Sequence, residues 1–247
     1  MRLFAAVWPP EPVLDHLDLA LATVRGGPAG LSSAVRWSAR ETWHLTTAFY
    51  GDVPDGAVPG LRDELAAVAA ATAPYELALR GAGLFTHRTL WVGVGGDTEA
   101  QRRLAAACMR AWPRAGGEPA DGRARERAHL TIGRVRSGGR PPRGRPGGPG
   151  YGSRGGSSGA GAGAGAGGRR GGRRDRGRWD SPSSGDEAAG VVRALSVYEG
   201  PTWRVEAIRL VASQPGAGRG GGPLYTPVEE LPLTGAAQHG PAADDAP

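Results

Sequence analysis

The chain has 247 residues, 39% of them hydrophobic, with 43 Gly, 21 Pro and a net charge of +6; that length fits one or two compact domains, and the apolar fraction is below that of a chain folded throughout. All 30 basic residues are Arg, which excludes a lysyl-nucleotide intermediate, a Schiff-base lysine and a P-loop lysine. The single cysteine, Cys108, excludes an intrachain disulfide and a Cys-based zinc site, and suits a reducing compartment.

Arg2–Val7 reads as a strand stopped by Pro9 and Pro10. The apolar run at the N-terminus is too short for a secretory segment, and no run reaches the length of a membrane span, so a cytoplasmic protein is expected. Glu11 to Arg25 carries Val13, Leu14, Leu17, Leu21 and Val24 at helical spacing. Trp43 to Tyr50 is strand-like and closes at Gly51, and Val58 to Ala73 is a helix ending before Pro74. Tyr75–Leu79 and Thr89–Val94 are strands. Thr98 to Trp112 follows as a helix with Leu104 and Cys108 on one face, then Ala128–Val135 as a strand. From Ser137 to Gly185 lie 49 residues with 19 Gly and 10 Arg against two acids. This segment carries the chain's basic excess, and it cannot bury enough apolar surface to offset its ordering entropy, so 137–185 is expected to be disordered. Beyond it, Asp186–Tyr198 reads as a helix, Val205–Val211 and Leu224–Leu233 as strands, and 235–247 as a disordered tail. Strands that pair as antiparallel neighbours with helices on one side make an α+β fold.

Two of the five histidines open the same tripeptide: His44-Leu45-Thr46 in WHLTTAFYG and His129-Leu130-Thr131 in AHLTIGR. Both lie on expected strands, where residues i and i+2 share a face. Each tripeptide therefore presents an imidazole beside a hydroxyl, with the leucine turned into the core. Two such strands facing one another make a cleft with two imidazoles and two hydroxyls. An imidazole exchanges a proton near neutral pH, so a pair divides the work into one acid and one base. Threonine hydroxyls donate to oxygens without adding charge. The set suits in-line displacement at a phosphodiester and needs no metal or cofactor.

Paired H-x-T motifs half a chain apart resemble those of the 2H phosphoesterases, and within them the bacterial RNA 2′,3′-cyclic phosphodiesterases, historically named 2′-5′ RNA ligases. MRLFAAVWPP, RW…WHLTTAFYGDV, LWVGV, HLTIGRV and RLVASQPGAG…LYTPVEELPL carry the likeness in order, over 1–136 and 187–234. The resemblance implies one bilobal catalytic domain of residues 1–136 and 186–234, each lobe an antiparallel sheet backed by helices, with the cleft between the lobes. It implies that water opens a 2′,3′-cyclic phosphate at an RNA end to a 2′-phosphate, on tRNA or small nucleotides, by a monomer. His44 would protonate the leaving 3′ oxygen, His129 would activate water, and Thr46 and Thr131 would hold phosphoryl oxygens. Phe49 would stack on the terminal base and Arg134 would bind phosphate, although strict alternation turns both away from their histidines. Thr47 and Ala48 depart from the Leu-Arg pair of many relatives.

Three alternatives stand beside this reading. They are reversible 2′-5′ ligation at the same groups, a non-catalytic RNA-binding protein using the Arg/Gly-rich arm, and a metal hydrolase adding Asp52 to the two histidines. The G-x-G-x-x-G matches at Gly163 and Gly216 open no expected helix and reflect composition. His87 reads as a turn or rim residue, and Trp37, Trp43 and Trp91 as core or cleft-wall aromatics.

Overall fold

The computed structural model describes residues 1–26, 35–118, 127–136 and 184–236. Its elements are β1 (Arg2–Val7), α1 (Glu11–Gly26), β2 (Val35–Trp37), β3 (Leu45–Asp52), α2 (Val58–Ala70), β4 (Tyr75–Phe85), β5 (Thr89–Gly96) and α3 (Thr98–Arg114), then β6 (His129–Val135), α4 (Ser184–Leu195), β7 (Glu199–Val205), β8 (Ala207–Gln214) and β9 (Leu224–Pro232). The helices form where apolar residues recur at helical spacing, and α3 adds a side-chain cap. α1 buries Val13, Leu14, Leu17 and Leu21 on one stripe. α3 begins where the Asp97 side chain accepts the Ala100 N–H at 2.9 Å, and it buries Leu104, Cys108 and Ala111.

All strand pairs are antiparallel, and the order is β7-β4-β5-β6-β3-β1-β8-β9, with β2 also on β6. Two separate sheets were expected; the pairing instead makes one nine-stranded sheet with a narrow waist. The halves β7-β4-β5-β6 and β3-β1-β8-β9 meet at one registered pair, Leu45 opposite Leu130. β7 and β8 lie near opposite ends of this order, yet only Glu206 separates them in sequence. The sheet must therefore curl. Helices α2 and α3 pack on β3, β8 and β9, while α1 and α4 pack on β7, β4 and β6. Each half is thus backed by two helices, and the main core lies between sheet and helices. A second, small cluster of Phe4, Ala6 and Val211 lies on the opposite face of β1 and β8.

Two strands were not expected from the sequence. β2 is three residues long, and β7 (EGPTWRV) contains a Gly-Pro pair that reads as loop; β7 is held in place by pairing with β4, which buries Trp203 and Val205. The stretch read as one strand over Val205–Val211 breaks at Glu206, where the chain passes from one half of the sheet to the other. The segment expected to be disordered lies outside the described residues, except that α4 begins two residues inside it, at Ser184. The tail also lies outside them from 237 onward. Its first residue, Gly235, is tied down by its N–H, which donates to the Thr72 carbonyl at 3.0 Å. Among the described residues no helix is long and apolar enough to cross a membrane.

Candidate active site

The waist of the sheet is where the two tripeptides meet. Leu45 and Leu130 are opposite one another and fully buried. Antiparallel register then sets His44 across from Thr131, and Thr46 across from His129, all four on the face away from the main core. Pairing between β3 and β6 stops on both sides of the leucine pair. The cluster therefore straddles the join between the halves, and all four of its residues are half-buried.

Both histidines are oriented by the same local device. His44 Nδ1 lies 2.8 Å from the Thr42 carbonyl, and His129 Nδ1 lies 3.0 Å from the Arg127 carbonyl, each partner two residues upstream. A carbonyl oxygen only accepts, so each Nδ1 carries its hydrogen and donates it. Nε2 is then the ring atom that gains or loses a proton. In neutral His44 this nitrogen accepts from the Thr46 hydroxyl at 3.1 Å.

The two imidazoles have different aromatic walls. His44 stacks on Trp8, with centroids 4.7 Å apart and planes at 25°, and also touches Phe4 at 5.0 Å and Tyr225 at 5.2 Å. His129 meets the Phe85 ring edge-on at 4.8 Å, with Trp91 at 6.3 Å. Trp91 lies flat on the sheet because Gly83 and Gly93 have no Cβ; one added at Gly83 would be 2.2 Å from the indole ring. Burial raises the pKa of the Tyr225 hydroxyl, and the nearby Arg134 charge opposes that rise.

Strict alternation would turn Phe49 and Arg134 away from the cluster. A β-bulge in each half reverses this. Ala6 pairs with Thr46 and Ala5 with Ala48, leaving Thr47 as an extra residue, so Phe49 comes opposite Phe4 on the His44 face. Trp91 pairs with Thr131 and Leu90 with Gly133, leaving Ile132 extra, so Arg134 comes opposite Thr89 on the His129 face. The bulges fall at equivalent positions, one residue after each threonine. Phe49 is exposed and lies under the Arg2 guanidinium at 5.0 Å. Ala48, by contrast, is buried opposite Ala5.

A cavity of ≈ 1280 Å³ opens beside the Thr46 and His129 end of the cluster, between β3, β5 and α3, with Phe49, Gly93, Gln101 and Met109 among its walls. Asp52 pairs across β1 with Arg2, and among the described residues no three His, Cys, Asp or Glu side chains gather as a metal-ligand set. His87 stands in the β4–β5 turn with φ of 55°, outside the cluster. His16 Nδ1 lies 3.1 Å from the Tyr198 hydroxyl, on the α1 side of the sheet. Trp43 is a core residue, Trp37 is packed partly against the core, and Trp91 is a wall of the cluster.

Sequence reasoning missed the aromatic walls. Phe4, Trp8, Phe85 and Tyr225 come from three separate segments, and only for Phe4 was there a signal: RLFAAV is apolar at consecutive positions, as in a strand buried on both faces. It also missed Arg36, which β2 sets directly opposite Arg134.

A profile described as the 2′-5′ RNA ligase superfamily matches residues 13–138. An RNA 2′,3′-cyclic phosphodiesterase of Geobacillus stearothermophilus is 35% identical over 105 residues, 40% of this chain and 33% of that protein. The chain thus spans about a third of the length of that relative. A protein of the same name from Methanothermobacter thermautotrophicus is 29% identical over 143 residues, 55% of this chain and 72% of that protein. A crystal structure of a Thermus thermophilus protein has the same fold, with a TM-score of 0.61 at 21% identity, over 97% of this chain and 100% of that one.

Proposed function

Because the chain belongs to the 2′-5′ RNA ligase superfamily, we propose that it is a phosphodiesterase that opens the 2′,3′-cyclic phosphate at an RNA 3′ end to a 2′-phosphomonoester. The observation that carries this reading is the pairing of Leu45 with Leu130, which sets two imidazoles and two hydroxyls around one gap. Both relatives named above as RNA 2′,3′-cyclic phosphodiesterases support it.

His129 is the base and His44 the acid. His129 Nε2 takes a proton from water as the water oxygen bonds to phosphorus. The P–O3′ bond breaks, and O3′ takes the proton from His44 Nε2, which leaves the phosphate on O2′. The carbonyl acceptors of Thr42 and Arg127 serve both protonation states, because each Nδ1 donates throughout. The rings therefore stay aimed while Nε2 changes charge. Thr46 and Thr131 donate to the non-bridging oxygens, Arg134 adds a guanidinium for the phosphate, and Phe49 offers a face for the terminal base. The two half-sheets act as the two lobes of the cleft. General acid–base chemistry accounts for every proton in this scheme without a metal.

The test is turnover of an oligonucleotide ending in a 2′,3′-cyclic phosphate in excess chelator, with the position of the product phosphate assigned. A 2′-phosphate formed at an unchanged rate supports the scheme. Loss of turnover in chelator, restored by a divalent metal, overturns the acid–base mechanism; a 3′-phosphate product overturns the assignment of the leaving oxygen.

A further inference from the structure

The face that carries the histidine–threonine cluster has a bare strip along β5. One row crosses the sheet from Glu199 on β7 to Arg80 on β4, Gly93 on β5 and His129 on β6, and directly paired residues point to one face. Gly93 and Gly95 leave that face of β5 without side chains. A Cβ added at Gly93 would lie 3.2 Å from the Trp91 ring, and one added at Gly95 would lie 3.2 Å from Cδ of Arg80. The indole therefore lies on the strip, and the Arg80 side chain crosses from β4 onto it, toward β6. From the other side comes Arg127, two residues before His129, with its guanidinium over the Trp91 ring at 5.9 Å. Two cations thus border one strip beside His129.

Neither cation is held by a strong partner. Arg127 is exposed and has no ion pair among the described residues. Arg80 faces Glu199 at 3.5 Å with both side chains exposed, a pair that solvent and salt screen. Arg102 on α3, by contrast, gives two N–H groups to the two oxygens of Glu99, at 2.8 and 2.6 Å. These three arginines and Glu99 are the charged side chains that line the cavity among the described residues, so its wall is net positive. The cavity measures ≈ 1280 Å³, against the roughly 300–1,000 Å³ that enclose one drug-sized ligand, about the size of a mononucleotide. A nucleotide with its base on Phe49, on the β3 wall, leaves the β5 wall unfilled.

Resting on the proposed phosphodiesterase activity, we infer that this cavity is the groove for the RNA strand 5′ of the cyclic phosphate, with Arg80 and Arg127 taking backbone phosphates of that strand. A guanidinium stacked on an indole keeps its N–H edge for phosphate oxygens. Along β6 the order is Arg127, His129, Thr131, Arg134, so the groove and the arginine of the reacting phosphate lie at opposite ends of the cluster. The site then selects RNA ends over free cyclic mononucleotides.

Binding of RNA that ends in a 2′-phosphate reads the groove without turnover. Adenosine 2′-phosphate is compared with ApA and ApApA carrying a terminal 2′-phosphate, by calorimetry over a range of salt concentrations. Affinity is expected to rise roughly ten-fold from the mononucleotide to ApA. The slope of log K against log salt should steepen by about 0.7 for each backbone phosphate engaged. In Arg80→Gln and in Arg127→Gln the slope for ApApA should fall back by about 0.7, and the double variant should bind all three lengths about equally. Arg110→Gln, at an exposed arginine of α3 outside the cavity, should keep the wild-type pattern. Equal wild-type affinities for the three lengths overturn the groove. A length preference that survives both substitutions also overturns it, and assigns the strand to another surface such as the Arg-rich segment 137–185. Turnover of the matching cyclic phosphates is measured beside this, and kcat/KM should rise with length in the same order. No turnover at any length, with the binding pattern intact, would instead sink the proposed activity and leave the groove as an RNA site.

Discussion

The two halves of the sheet use one backbone device with different side chains. In each half a histidine donates Nδ1–H to the carbonyl two residues upstream, a leucine turns into the core, a threonine returns to the face, and a bulge follows. After the bulge the halves part: Phe49 in one, Arg134 in the other. The walls differ too, with Trp8, Phe4 and Tyr225 around His44, and Phe85 and Trp91 around His129. A repeated backbone can thus hold two identical groups while their surroundings assign them unlike tasks.

The hardest test of that comparison is to remove each imidazole. His44→Ala and His129→Ala are each expected to lower kcat by about 10³-fold while thermal unfolding and RNA affinity change little, because both rings are only half-buried. The double variant should fall no further than the worse single one, as in groups that act as a unit. Retained turnover in either single variant breaks the acid–base pairing.

The join itself comes next. Leu45→Ala or Leu130→Ala should each destabilise the fold by about 3 kcal/mol in urea denaturation, since both side chains are fully buried. A double-mutant cycle should show coupling of about 1 kcal/mol; strict additivity would mean the halves do not depend on this contact. On the His129 side alone, Gly83→Ala is expected to displace Trp91 and cost about 2 kcal/mol, with a change in indole fluorescence. An unchanged spectrum would show that the Trp91 wall is not held by close approach to the sheet.

Two smaller effects follow. Thr46→Val removes both a proposed phosphate contact and the hydroxyl that donates to His44 Nε2, so it should cost roughly ten-fold in kcat. An unchanged kcat in Thr46→Val would remove this hydroxyl from the reaction. Away from the site, burial pushes the Cys108 thiol up to about 12. Its thiolate is scarce at pH 8, and the native chain should react with an aromatic disulfide reagent only as fast as it opens. Rapid labelling would show that α3 does not seal this side of β3.

Much of this architecture was legible from residue order. The alternation in WHLTTAFYG and AHLTIGR sufficed to send Leu45 and Leu130 inward and the four polar groups outward, because side-chain direction in a strand is a local property of the backbone. The helices at Glu11–Gly26 and Thr98–Arg114 announced themselves by the period of their apolar residues for the same reason. β2 and β7 did not, since strands this short or Pro-bearing exist only when a neighbour supplies their hydrogen bonds.

What the chain determines by itself, then, is which groups share a face within each strand. Which strands lie side by side, where a bulge restores Phe49 and Arg134 to the cluster, and which distant aromatics close around each imidazole were decided only by tertiary pairing. Those features depend on register between segments far apart in the chain, and register is an energy of the assembled sheet, with no counterpart in any single segment.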